Sequence, residues 1–250
     1  VNAIAKVSFE TPHHPLRSLL LEDMPTAVQV DDEISRRMVT IRAADSEGHR
    51  SSAHILVSRM YAQRGYRSTP LRPAASSSRV TLIASDHEVT LGTITIGFDG
   101  DDGLLVDELF GDHVEQLRAD GVVLCEFVKL AIDGVVRSKR VLASLFHTAF
   151  IYAREIKGCR NLLIEVNPRH VRFYERMLGF SVLAQERINR RVDAPAVLMC
   201  LDLAHAGQQI GRIHAGPVET RRSDRSFYRD CFSPDEAAGI VRRLRRRNDA

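Results

Sequence analysis

The alternation of apolar and polar positions divides the chain into strands and helices. Residues 38–45, MVTIRAAD, alternate with a period of two, the mark of a half-buried strand. In SAHILVSRMYAQRGY, Ile55, Leu56, Arg59, Met60 and Gln63 fall near one helical face, and Gly65 supplies a stop. VTLIAS and VTLGTITIGFD are β-branched runs parted by DHE, a hairpin signal. Leu104 to Arg118 reads as a helix anchored by Leu105, Leu109, Val114 and Leu117.

The apolar run VVLCEFVKLAID is long enough for a central strand, yet it carries two charges, Glu126 and Lys129. GVVRSKR then turns the chain, ASLFHTAFIYAREI has helical periodicity, and NLLIEV is a second apolar strand. Strand, helix and strand at this spacing imply a parallel pair joined by a crossover helix. Asn167 can cap the next helix, with Pro168 at its first position. VLAQERI and APAVLMCLDL close the pattern as two strands separated by NRRVDAP.

The flanks are less patterned. Residues 1–35 read as an arm, extended or with a short helix around Pro15–Leu21, and Arg67–Ser78 as a loop. Residues 204–232 are polar with scattered glycine and predict no regular element. Ser233 with Glu236 forms a capping box over a basic terminal helix that contains RRLRRR. The expectation is an α/β fold with one main domain over 36–203, an arm before it and an extension, 204–250, after it.

Composition narrows the function classes. A hydrophobic content of 44% suits a soluble globular domain, and a net charge of +3 is too small to argue for nucleic acid. The surplus is local: residues 204–250 hold ten arginines against six acidic residues. Such a run is either a solvated helix face or a docking surface for an acidic partner. Cys125, Cys159, Cys200 and Cys231 form no CxxC pair, so reduced core thiols are expected and no metal site. The DGDDG loop does not meet the EF-hand pattern, because its glycine falls too early and no Glu closes it. No stretch approaches the roughly 18 apolar residues of a membrane span, and no leader pattern opens the sequence, so a cytoplasmic protein is expected.

The candidate chemistry lies between the two parallel strands. A carboxylate in a doubly buried strand loses solvation, so Glu126 is either a general base, a holder of a substrate ammonium, or half of a structural ion pair. The turn Val135–Arg140 gathers Arg137, Lys139 and Arg140 at a helix start, which is either an anion site suited to a phosphate ester or a solvated basic turn. Tyr174, two turns beyond Asn167, is either a proton donor in the cleft or a packed aromatic.

At these residues the chain resembles the GNAT acyltransferase superfamily. The likeness covers roughly 36–203 and rests on the element order, the strand LCEFVKLAID with its basic turn, and the segment EVNPRHVRFYERMLGF, similar to the N…FY…LGF signature of that group. It implies a mixed, mostly antiparallel sheet with a splayed parallel pair flanked by helices. CoA-dependent members carry a glycine-rich phosphate loop; here VVRSKRV has no glycine after Gly134, which fits the single phosphate of an acyl carrier protein better than CoA pyrophosphate. CEFVKLAID also resembles the E-x-[ST]-R-[LF] strand of acyl-homoserine-lactone synthases. Lys129 replaces their Arg and the chain has no Trp, which favours long-chain N-acyl amino acid synthases of the FeeM type.

That resemblance implies amide formation from an acyl thioester and an amino acid, with acyl-phosphopantetheine on acyl carrier protein, or acyl-CoA, as co-substrate and no permanently bound cofactor. It implies Glu126 as base and Tyr174 as acid. The backbone of Leu130, Ala131 and Ile132 would lie along the pantetheine arm. Arg137, Ser138, Lys139, Arg140 and Asn167 would complete that subsite. Arg59 and Lys129 are the candidates for the amino acid carboxylate.

Overall fold

The computed structural model describes residues 3–9, 37–66, 78–134 and 139–248. The helix expected near Pro15–Leu21, the loop at 67–77 and the turn at 135–138, with Arg137 and Ser138, lie outside the described residues.

Among the described residues, eight strands form one sheet in the order β1-β2-β3-β4-β5-β6-β8-β7. The strands are β1 (Ala5–Phe9), β2 (Arg37–Ala43), β3 (Arg79–Asp86), β4 (Val89–Phe98), β5 (Leu124–Ile132), β6 (Asn161–Val166), β7 (Ser181–Asn189) and β8 (Ala194–Asp202). Every neighbouring pair is antiparallel except β5 with β6. The mixed, mostly antiparallel sheet with one parallel pair is therefore present, and its crossover is α3 (Lys139–Ile151), continued by a π-helical turn, Tyr152–Ile156.

Helices cover both faces. On one face lie α1 (Glu47–Ala62) and α2 (Asp107–Ala119). Leu56, Val57 and Met60 of α1 pack on Ala131, and Phe110 and Val114 of α2 pack with Leu124 and Leu163. On the other face, α3 meets Cys125, Phe127 and Leu162 in the main core. Also there is α4 (Val171–Leu178), which ends at Gly179 in a left-handed conformation, φ 73°, as a glycine permits.

The flanks join this core. β1 adds an edge strand, and Ile4, Ala5 and Val7 are buried in the main cluster. Residues 203–248 form α5 (Leu203–Ala215), α6 (Val218–Ser223), a short 3-10 turn at Phe227–Asp230, and α7 (Pro234–Asn248). Two helices are thus added where the polar pattern predicted no element. The Asp202 side chain caps α5 by accepting from the Ala204 and His205 amides, and Leu203, Ala206, Ile210 and Ile213 bury one face. The expected capping box does open α7: the Glu236 amide donates to Ser233 Oγ at 3.3 Å, and the Ser233 amide donates to Glu236 Oε2 at 2.8 Å. All four cysteines are buried thiols. Asp99, in the rejected calcium loop, accepts two hydrogen bonds from Arg118. No described helix is long and apolar enough to cross a membrane.

Candidate active site

The parallel pair is short. Leu124 pairs with Asn161, Cys125 with Leu162 and Glu126 with Leu163, and no further rung follows. Beyond that point the strands part. On the β4 side, Thr93 faces Ala131 and Thr95 faces Val128, so two residues of β5, Lys129 and Leu130, oppose one. This is a β-bulge, and Lys129 takes the left-handed conformation it needs, φ 53°. A bulge bends its strand, and here the bend falls where β5 leaves β6.

The gap is a cavity of about 320 Å³. Its walls differ on the two sides of the sheet. Leu142 and Phe146 of α3, Phe173, Tyr174 and Leu178 of α4, and Phe227 make one side aromatic and aliphatic. Tyr61, Arg64, Glu165, Asn189 and Arg191 bring polar groups to the other, beside Leu105. Burial of Tyr61 and Tyr174 pushes both phenols up to about 12, and their proximity adds to the shift on Tyr174, so both remain protonated donors at neutral pH.

Glu126 is fully buried and is not among the cavity-lining residues. Its Oε1 accepts from the Leu105 amide at 2.9 Å and its Oε2 from the Val106 amide at 3.1 Å. Burial raises its pKa, and those two amides pull it partly back. Gly97, its partner on β4, leaves the room: a Cβ there would lie 2.7 Å from Glu126 Cγ.

Glu165 stands one alternation beyond Leu163, where pairing has ended, and it does line the cavity. Its Oε2 accepts from Asn189 Nδ2 at 3.1 Å and from Arg191 Nη2. Burial raises its pKa to about 7; Arg191 draws it down, and the charges of Glu126 and Glu108 push it up. Arg191 also donates to Leu105 O at 2.6 Å and to Glu108 Oε2 at 2.7 Å. Glu126, the Leu105 backbone, Arg191 and Glu165 therefore form one continuous chain.

The model of the family N-acyl amino acid synthase FeeM matches residues 52–202, more than half of the chain. The chain belongs to this family. Among solved structures, FeeM, an N-acyl amino acid synthase from uncultured soil microbes, is 29% identical with a TM-score of 0.61, covering 68% of this chain and 93% of FeeM. An acyl-CoA N-acyltransferase from Pseudomonas aeruginosa is 14% identical, TM-score 0.45, over 65% of this chain and 97% of its own. The AHL synthase LasI is 11% identical, TM-score 0.49, over 67% and 91%. No curated protein matches the sequence. The member described here is an acyltransferase with a GNAT-like fold.

Within the family member, Leu130, Ala131, Ile132, Lys139, Asn167, Tyr174 and Lys129 all border the cavity. Asn167 also accepts from the Arg169 amide at 3.2 Å, as a cap. Burial, with Arg79 nearby, lowers the pKa of Lys129. Arg140 is exposed at the start of α3, next to Lys139. Arg59 is not among the lining residues; it is half-exposed on α1 and ion-paired with Asp133. Arg64, five residues later, reaches the cavity instead. The sequence reading passed over Arg64, Tyr61, Glu165 and Arg191. Glu165 carried the same signal as Glu126, a charge within an apolar strand.

Proposed function

We propose that this acyltransferase moves a long fatty acyl group from the phosphopantetheine thioester of an acyl carrier protein to the amine of an amino acid. The observation that supports this reading is the two-sided cavity at the strand separation, apolar toward α3 and α4 and polar toward α1 and β6. An acyl chain is taken by the first side and an amino acid by the second. The thioester then sits between them, along the backbone of Leu130–Ile132, where an N–H group stabilises the tetrahedral oxyanion. Tyr174 protonates the departing thiolate. Lys139 and Arg140, the first residues of α3, hold the phosphate of the arm at a helix N-terminus. Lys129 and Arg64 receive the amino acid carboxylate. Positioning both substrates in one water-poor channel supplies much of the rate. Glu126, with both oxygens on backbone amides, braces the Leu105 turn and so the floor of the polar side.

The test offers a long-chain acyl carrier protein thioester, the matching acyl-CoA, and acetyl-CoA, each with a mixture of the common amino acids. Mass spectrometry should find an N-acyl amino acid from the long-chain donors, with the carrier-protein form used at lower concentration. Equal use of acetyl-CoA would remove the long-chain reading, and equal use of the two long-chain donors would remove the carrier-protein preference.

A further inference from the structure

Three carboxylates surround one guanidinium at the polar side of the cavity. Glu108 and Glu165 both accept from Arg191, and Glu126 lies behind the Leu105 turn that Arg191 also binds. The Glu165 side chain is only 9% exposed. Both of its hydrogen bonds, from Asn189 and Arg191, go to Oε2. Its Oε1 is buried without a hydrogen-bond partner among the described residues. A buried, unmet acceptor on a carboxylate is costly. A strong donor reaching Glu165 from the cavity would meet it, and a carboxylate oxygen favours a cationic one. An amino acid or amine brings such a group.

We propose that Glu165 is the amine site of this enzyme: its Oε1 binds the substrate nitrogen and accepts the proton that nitrogen releases. In the transfer, the bound ammonium first releases one proton to solvent; the neutral amine then attacks the thioester carbonyl, the C–N bond forms and the C–S bond breaks. The nitrogen's surplus proton passes to Glu165 Oε1, and the thiolate takes the Tyr174 proton. Solvent then carries the proton from Glu165 back to Tyr174, leaving an amide and a free thiol. Asn189 and Arg191 hold Glu165 by its other oxygen, which fixes the direction of Oε1. A carboxyl group with its pKa near neutrality is matched to this exchange. The charged and titratable groups around it are Arg191 from the β7–β8 turn, Glu108 from α2, Glu126 and Lys129 from β5, Tyr61 from α1 with Arg64 and Tyr66 just after it, Lys139 of α3, His170 before α4 and Tyr174 on α4. Of these, His170 has its pKa lowered by burial, and Tyr61 stays protonated.

Proton transfer here presupposes the acyl transfer proposed above, whereas amine binding does not, so the two are measured separately. Calorimetric titration with decylamine and with decanol compares an ammonium with a hydroxyl on the same apolar tail. At pH 8 the wild type should bind decylamine at least about tenfold more tightly, as for a charge-assisted hydrogen bond, and Glu165→Gln should erase the preference. In the wild type alone, decylamine affinity should rise roughly tenfold from pH 6 to pH 8 as Glu165 ionises, because an alkylamine stays protonated across that range. A preference missing in the wild type, retained in Glu165→Gln, or flat with pH overturns the amine site. In turnover, Glu165→Gln should lower kcat by about 10²–10⁴ and remove the pH limb near neutrality. Unchanged kcat overturns the proton role. A decylamine preference without any acylated amino acid would sink the proposed function and leave the amine site standing; acylation without the preference would do the reverse.

Discussion

Glu126 and Glu165 are the same residue type, in neighbouring strands and on the same face of the sheet, two residues beyond Leu124 and Leu163 of one apolar cluster. Pairing separates them. Glu126 is on the last rung of the parallel pair and is fully satisfied by two amides; Glu165 is past it, with one oxygen unmet. The sequence shows a charge in each apolar run, but not the rung at which the strands part, so it cannot say which carboxylate faces the cavity. Glu165 also makes a stability prediction. Its folded-state pKa is about 7, above the ordinary 4.5, so the folded protein loses stability as pH rises through that interval and has the full contribution only below it. The loss is about 3 kcal/mol by pH 8. Glu165→Gln removes it. The variant should therefore melt higher than the wild type at pH 8 and show no advantage at pH 4.5. Thermal unfolding at the two pH values reads this directly; a variant less stable at pH 8 would show that the Arg191 pair outweighs desolvation.

At the scale of elements, those with strong periodicity were legible: the hairpin β3–β4, the crossover β5-α3-β6, the Asn167 cap and the α7 capping box. The start of α1 was not. It begins at Glu47 behind Ser46, whose side chain accepts from the His49 amide, in a stretch with little apolar content. β1 and α5 were missed because their stability comes from what they pack on, and a polar window read alone does not reveal a partner. The bulge at Lys129 depends on pairing across strands and leaves no local pattern. The basic run on α7 divides by contact. Arg243 donates to Ile4 O at 2.6 Å and Arg247 to Asp45 Oδ2 at 3.1 Å, tying α7 to the approach to β1 and to the loop before α1. Arg242, Arg245 and Arg246 are exposed. Replacing these three with Gln should change stability by less than about 0.5 kcal/mol, as surface substitutions do. If the surplus charge docks an acidic carrier protein, the same variant should raise the KM for the carrier-protein thioester and leave that for acyl-CoA unchanged. A KM unmoved for both would mark the run as a solvated helix face.

Across the whole molecule, the sheet is a partition that opens where β5 leaves β6, and the proposed reaction uses both sides at once. The apolar side is lined from α3, α4 and Phe227, so the segment after β8 contributes a wall to the proposed acyl site as well as completing the core. The resemblance located the strand separation. It could not rank the walls, because Leu142, Phe146 and Phe227 come from three distant parts of the chain whose packing only the fold brings together. Under the proposed function, Leu142 is a place to test control of acyl length. It is half-buried on α3, packs on the core from its edge, and faces the cavity. Leu142→Trp should shorten the apolar side with little loss of fold, because the added ring projects into open space. Each methylene denied burial costs about 0.8 kcal/mol, so losing room for four costs about 3 kcal/mol, roughly two hundredfold in kcat/KM for a long-chain donor. A donor four to six carbons long should be almost unaffected. Kinetics across a series of acyl lengths would show the preferred length moving down; a uniform loss at every length would mean that the tail does not lie along α3 and that the apolar side of the cavity serves another part of the substrate.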